Sequence, residues 1–206
     1  MKKDKTAAEL LAELAADKDY VQMRKSADEA LAKRVQEMRA AEAPLVAALR
    51  AAGVEVDSVW DLVNRADTDA AAIPVLFEHL NRAYPERVRE GILRALAVPD
   101  SLPRWPVLLD LFKALPDQAT GGLKFAAGCA LGAAADESVI DDVIALVRDP
   151  RQGYGRLALI DALKASRSAK ARMLLNELRT DPVLGQEVKK RRRMARLRSG
   201  GDAPGS

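Results

Sequence analysis

The chain of 206 residues has one histidine, His79, one cysteine, Cys129, and only eight aromatic residues. A metal site built from several imidazoles or thiolates has no ligands to draw on, a zinc finger is excluded, and no disulfide can close within the chain. Long apolar runs are missing too. The longest uncharged stretch is the eleven residues from Phe125 to Ala135, far short of the roughly 20 needed to cross a bilayer. Met1 to Lys5 is basic like the start of a signal peptide, but Glu9 and Glu13 interrupt the apolar region that would have to follow, and no small-residue cleavage site succeeds it. These absences predict a cytoplasmic protein with no membrane contact, no cofactor and no metal. β-branched residues are also sparse: Val, Ile and Thr total 25, against 65 for Ala and Leu. That balance favours helix over strand.

The formal charge is +3, but it is unevenly placed. Lys189, Lys190, Arg191, Arg192, Arg193, Arg196 and Arg198 carry seven positive charges with no acid among them, which leaves the remainder of the chain at −4. The basic character belongs to one short segment.

An internal repeat organises the sequence. An apolar stripe at i, i+3, i+4 and i+7 occurs as Ile73, Leu76, Phe77, Leu80, then Trp105, Leu108, Leu109, Phe112, then Ile140, Val143, Ile144, Val147, and again as Ala171, Leu174, Leu175, Leu178. Each stripe is one face of a three-turn helix, and the copies recur every 31 to 35 residues. A proline follows each stripe, at Pro85, Pro116, Pro150 and Pro182, marking the turn into a second helix. Asp149 and Asp181 precede two of these prolines as predicted N-caps. The second helix carries Ala95-Leu96, Ala130-Leu131 and Ala162-Leu163, with Ala195 at the fourth place, and a base stands six residues before each Ala: Arg89, Lys124, Arg156 and Lys189. Three features recurring in step predict an all-α chain, an α-solenoid of about four helical hairpins.

The proline-marked turn, the recurrent base and the Ala-Leu pair together resemble the short bacterial form of HEAT repeat, of the kind named for phycobilisome lyases. The resemblance covers about residues 70–197. It implies four HEAT-like repeats over residues 67–198. Upstream, Glu42, Leu45, Val46 and Leu49 fit the same stripe, with Pro44 as a helix starter and Gly53 as its close; with a short helix at Ser58 to Arg65 they make residues 42–66 a degenerate capping repeat. Residues 1–41 then hold N-terminal helices: a short one opened by a capping box at Thr6 to Glu9, and a longer one from about Asp19 to Ala41 carrying Leu31, Val35 and Met38. The longer helix is expected to cover one end or side of the array, with a coiled-coil dimer seam as the alternative. Residues 199–206, rich in Gly, Pro and Ser, read as a disordered tail. A monomer is favoured.

No residue stands out as catalytic. His79 lies off its apolar stripe and reads as a solvated surface histidine. Cys129, among small neighbours, reads as a packing residue rather than a reactive thiol. Glu86 with Glu90, and Asp141 with Asp142, are ordinary helix-surface acids. The recurrent base flanks the buried stripe, so its head is expected to bond carbonyls or acids of the neighbouring repeat, a phosphate-binding row being the alternative.

The opposite face of the second helices, the concave side in a solenoid of this kind, is more informative. It carries Glu86, Arg87, Glu90 and Arg94 in the first repeat, but Gly121, Gly122, Phe125 and Cys129 in the second, and Gly153, Tyr154, Leu157 and Asp161 in the third. This apolar middle is either covered within the chain, by the N-terminal helix or a curved neighbour, or open as a groove for an apolar element of another protein. The function expected is a non-enzymatic, protein-binding scaffold using Phe125, Tyr154, Leu157, Cys129, Glu86, Glu90 and Arg94. The alternative is binding of nucleic acid or another polyanion through the basic helix at 189–198.

Overall fold

The computed structural model describes residues 6–65, 69–117 and 122–190, and every regular element among them is helical. In chain order these are α1 (Ala7–Ala16), α2 (Lys18–Ala51), α3 (Val59–Asn64), α4 (Ala72–His79), α5 (Glu86–Ala95), α6 (Trp105–Ala114), α7 (Gly122–Ala134), α8 (Ile140–Arg148), α9 (Ile160–Ala165), α10 (Ala169–Glu177) and α11 (Gly185–Lys189). Short 3-10 segments occupy Pro99–Arg104, Pro150–Leu159 and Leu178–Thr180. No helix among the described residues is long and apolar enough to cross a membrane.

The repeating stripes are what the helices bury. Leu76, Leu108, Phe112, Val143 and Val147 are fully enclosed, and so are Leu96, Leu131 and Leu163 of the Ala-Leu pairs. Helices α6, α8 and α10 are tied in sequence by long-range polar contacts. Trp105 of α6 donates its Nε1–H to Asp142 of α8 at 2.9 Å, and Asp141 of α8 pairs with Lys170 of α10 at 2.9 Å. On the other side α3 packs on α5, α5 on α7, and α7 on the Pro150–Leu159 segment. Burial of the stripes drives the packing, because exposed ion pairs such as Asp141 with Lys170 contribute at most about 1 kcal/mol.

Three local expectations are corrected by the coordinates. Pro44 does not start a helix: it lies inside α2, which runs unbroken through the residue 41–42 junction. Pro44 is exposed, so the carbonyl one turn back that loses its N–H partner faces water, and the break is tolerated. The second correction concerns residues 150–165, which do not form one α-helix. Asp149 caps the segment as expected, accepting from the Arg151 N–H at 3.1 Å. Gly153 then takes φ +54° and ψ −135°, and α-geometry resumes only at Ile160. A side chain at position 153 would collide with the Asp117 carboxylate, so Gly here admits the turn that lets Asp117 accept from the Tyr154 N–H at 3.0 Å.

The third correction is His79. It is 2% exposed rather than solvated. Beyond α4 the chain folds back and stacks Tyr84 on the imidazole at 5.9 Å between ring centroids, with the hydroxyl 2.7 Å from Nδ1. Burial, helped by Arg82 and opposed by Glu78, holds His79 below its ordinary value of 6.5. As pH falls through 6.5 the unfolded chain gains a proton that the folded chain resists, so stability is lost on acidification. Urea unfolding at about pH 7.5 and 5.5 is expected to show this loss, and His79→Gln, which keeps polar groups but cannot titrate, is expected to flatten the slope in that window.

Candidate functional site

The face predicted to receive a partner is assembled from α5, α7 and the Pro150–Leu159 segment. Their closeness has a sequence cause. A Cβ on Gly91 of α5 would stand 2.4 Å from Val59 of α3, one on Gly128 would lie 2.9 Å from the Gly155 carbonyl oxygen, and one on Gly132 2.7 Å from that of Ala158. Ala126, Ala127 and Ala130 are completely buried beside these positions. Small residues therefore let backbones meet, and the larger side chains of α7 are left at the margins of the contact.

On α5, Glu90 accepts from Arg87 at 3.2 Å and from Arg94 at 2.8 Å, so two of the predicted site residues and Arg87 form one ion-pair cluster on a single helix face. Glu86 is exposed one turn earlier. Arg87 also lies over the Trp60 ring, 3.6 Å from its centroid, an arrangement that holds the guanidinium flat against α3. Cys129 of α7 adjoins this cluster and feels both Arg94 and Glu90. Burial pushes its thiol upward, Arg94 opposing and Glu90 adding to the effect. At neutral pH it is a poor nucleophile, in keeping with a packing role.

Phe125 is half-buried on α7, while Leu157 packs partly against the core. Tyr154 is 43% exposed and sits where its backbone is tied to Asp117. The face thus joins Glu90, Arg94 and Cys129 closely, and adds Phe125 and Tyr154 as reachable aromatic groups. Leu157 belongs more to the core than the helical wheel suggested, because the segment carrying it is not an α-helix. Among the described residues no group of three or more His, Cys, Asp or Glu side chains comes together as a metal site.

Two of the four recurrent bases, Lys124 and Arg156, bond carbonyls, and they do so on the preceding helix rather than across to the next. Lys124 is 3% exposed and donates to the Leu115 carbonyl at 2.8 Å, with Nζ 5.1 Å from the Phe112 ring centroid. Arg156, 6% exposed, donates to the Val147 carbonyl at 3.3 Å and the Gly153 carbonyl at 3.0 Å. In both pairs the acceptor lies nine residues earlier, at the end of the preceding helix, where carbonyls lack intrahelical partners and the dipole is negative. Arg89 is only half-buried and Lys189 is exposed. Burial lowers the Lys124 ammonium from its ordinary value against the pull of Asp117 and Asp149.

The basic segment is only partly described. Lys189 ends α11, and Lys190 pairs with Glu187 at 2.7 Å. Arg191, Arg192, Arg193, Arg196 and Arg198, like the tail at 199–206, lie outside the described residues.

A concavity that periodicity did not reveal lies between α6 and α8, a cleft of about 920 Å³. Leu109, Leu115 and Leu146 are among its apolar lining, and Lys113, Asp117 and Arg148 are among its charged groups. Gln152 borders it and donates to Asp149 at 2.9 Å. Arg151 and Gln152 hold the Asp149 carboxyl well below the usual carboxylate range. With Lys113, Arg148 and Arg151 facing Asp117, Asp142 and Asp149 among its lining, the cleft offers no field of one sign for a charged ligand.

The backbone contact at Gly132 has a measurable consequence. An exposed helix-interior Gly→Ala change ordinarily gains about 1 kcal/mol. At Gly132 the added methyl meets the Ala158 carbonyl, so Gly132→Ala is expected instead to destabilise by about 1–3 kcal/mol in a urea melt.

Comparison of the chain with protein-family profiles, with curated proteins and with solved structures finds no match.

Proposed function

We propose that the chain is a non-catalytic protein-binding scaffold, a short α-solenoid of four HEAT-like hairpins that receives an apolar element of a protein partner on the face formed by α5, α7 and the Pro150–Leu159 segment. The observation that carries this reading is the path of α2. Every residue from Val21 to Glu37 is exposed, and α2 packs on α1, α3 and α4 rather than on α5, α7 or the Pro150–Leu159 segment. The N-terminal helix therefore leaves Phe125 and Tyr154 uncovered. On this reading Phe125 and Tyr154 supply the apolar centre and Glu86, Glu90 and Arg94 the charged margin, a composition suited to an interface with an apolar centre and polar rim. The pairing already present on α5 suits that rim, since Glu90 is held by two guanidinium groups and offers no unpaired carboxylate, the cluster keeping one net positive charge for register.

The test is a paired comparison of Phe125→Glu with Tyr154→Ser against the unaltered chain. Both side chains reach solvent, so the double variant is expected to stay within about 1 kcal/mol of the parent stability while losing partners captured from native lysate at high salt. Unfolding of the variant would mean the patch is covered internally. Unchanged capture would place the binding elsewhere, and salt-labile capture of nucleic acid alone would favour the basic segment.

A further inference from the structure

The N-terminal half of α2 carries an apolar seam that is exposed among the described residues. Among the described residues, four of the seven large apolar side chains left exposed are on this helix: Val21 at 46%, Met23, Leu31 at 55% and Val35. Val21, Leu31, Val35 and Met38 fall on one stripe with the three-four spacing of a helix-packing seam, and the two places between Val21 and Leu31 on that stripe are Arg24 and Asp28. The same stripe continues into Glu42, Leu45 and Leu49, which are buried against the body of the protein. One helix face is thus seated in its C-terminal half and bare in its N-terminal half.

The order of the bare residues selects what fits them. Val21, Arg24, Asp28 and Leu31 are complementary to their own reverse: apolar, cation, anion, apolar on one helix meets apolar, anion, cation, apolar on the other when a second copy runs antiparallel about Ser26. Val21 then faces Leu31 of the second copy, and Arg24 faces Asp28, each pair occurring twice. A parallel pairing would instead set Arg24 against Arg24 and Asp28 against Asp28, which costs like-charge repulsion in an otherwise apolar seam. Within one chain, Arg24 and Asp28 have no ion-pair partner among the described residues, although Lys25 with Glu29 and Lys33 with Glu37 do pair on other faces of the same helix. Small residues, Ala27 and Ala32, flank the seam and allow close approach. The overlap from Lys18 to Arg34 is about 25 Å long.

We propose that this helix is a self-association surface, and that two copies of the chain pair through the N-terminal halves of α2 in antiparallel orientation, with Val21 on Leu31 and Arg24 on Asp28. The pairing is separate from the face on α5 and α7 and leaves that face free in both copies.

Sedimentation equilibrium at high-micromolar concentration is expected to give twice the chain mass of 22.3 kDa. Leu31→Glu is expected to return the single-chain mass with an unchanged thermal melt, since position 31 is exposed in the isolated chain. Asp28→Arg is expected to do the same by setting like charges opposite Arg24, and adding Arg24→Asp is expected to restore the dimer. Orientation is read separately, in a Cys129→Ala background. An equimolar mixture of Val21→Cys and Leu31→Cys chains is expected to form a disulfide-linked pair under mild oxidation, whereas neither alone does. A single-chain mass at every concentration, a dimer that survives Leu31→Glu, or cross-linking by Val21→Cys alone would each overturn the proposal.

Discussion

The architecture depends on how closely α7 approaches its neighbours. Gly128 and Gly132 stand against the backbone of residues 155–158, while Gly91 leaves room between α5 and α3 for the Val59 and Trp60 side chains. A methyl group added at the first two positions would meet a carbonyl oxygen and one at the third a packed side chain, so residue size at these three positions sets how closely α3, α5, α7 and the Pro150–Leu159 segment approach. That spacing decides where larger groups can go. Phe125 and Cys129 end at the border of the contact because its centre holds only glycine and alanine, and the candidate binding face is the by-product of a packing constraint.

Buried charge follows a related logic. Glu42 is 4% exposed on an otherwise apolar stripe, and it accepts from the Ser58 hydroxyl at 3.1 Å and from the Val59 N–H at the start of α3. Lys124 and Arg156 do the converse at the ends of α6 and α8. An anion at a helix N-terminus and cations at C-termini satisfy backbone groups that a buried helix end would otherwise leave unpaired, and each is favoured by the local dipole. These ionic groups terminate helices and hold the pairs closed. None converges with the others as an acid, base and nucleophile of a reaction would.

Besides the cleft between α6 and α8, the described residues offer two surfaces for association: the face carrying Phe125 and Tyr154 on α7 and the adjoining segment, and the bare half of α2. They lie on different elements and differ in character. The first adjoins, through Cys129, the ion-pair cluster of α5, whereas the α2 seam carries its charges, Arg24 and Asp28, within the apolar stripe. A chain with one site for a foreign partner and another for its own copy would present the first site twice, and the effective concentration at a partner with two binding elements would rise accordingly.

Much of the helical layout was determined by sequence alone, because a 3.6-residue apolar period and proline punctuation act within a turn or two of chain. The stripes at Ile73, Trp105, Ile140 and Ala171 became helices with buried faces, Asp149 became a cap, and Leu96, Leu131 and Leu163 became core. Tertiary structure decided whatever depended on a partner distant along the chain or on a loop's return. His79 is buried because Tyr84 folds back over it, and Lys124 and Arg156 close their own pairs because the end of the preceding helix is nearer than the next pair. The Pro150–Leu159 segment departs from α-geometry at Gly153, where Asp117, 36 residues earlier, supplies the cap. The exposure of α2 was beyond sequence for the same reason. Periodicity states which face is apolar, but whether anything covers that face is settled only when the rest of the chain has taken its place.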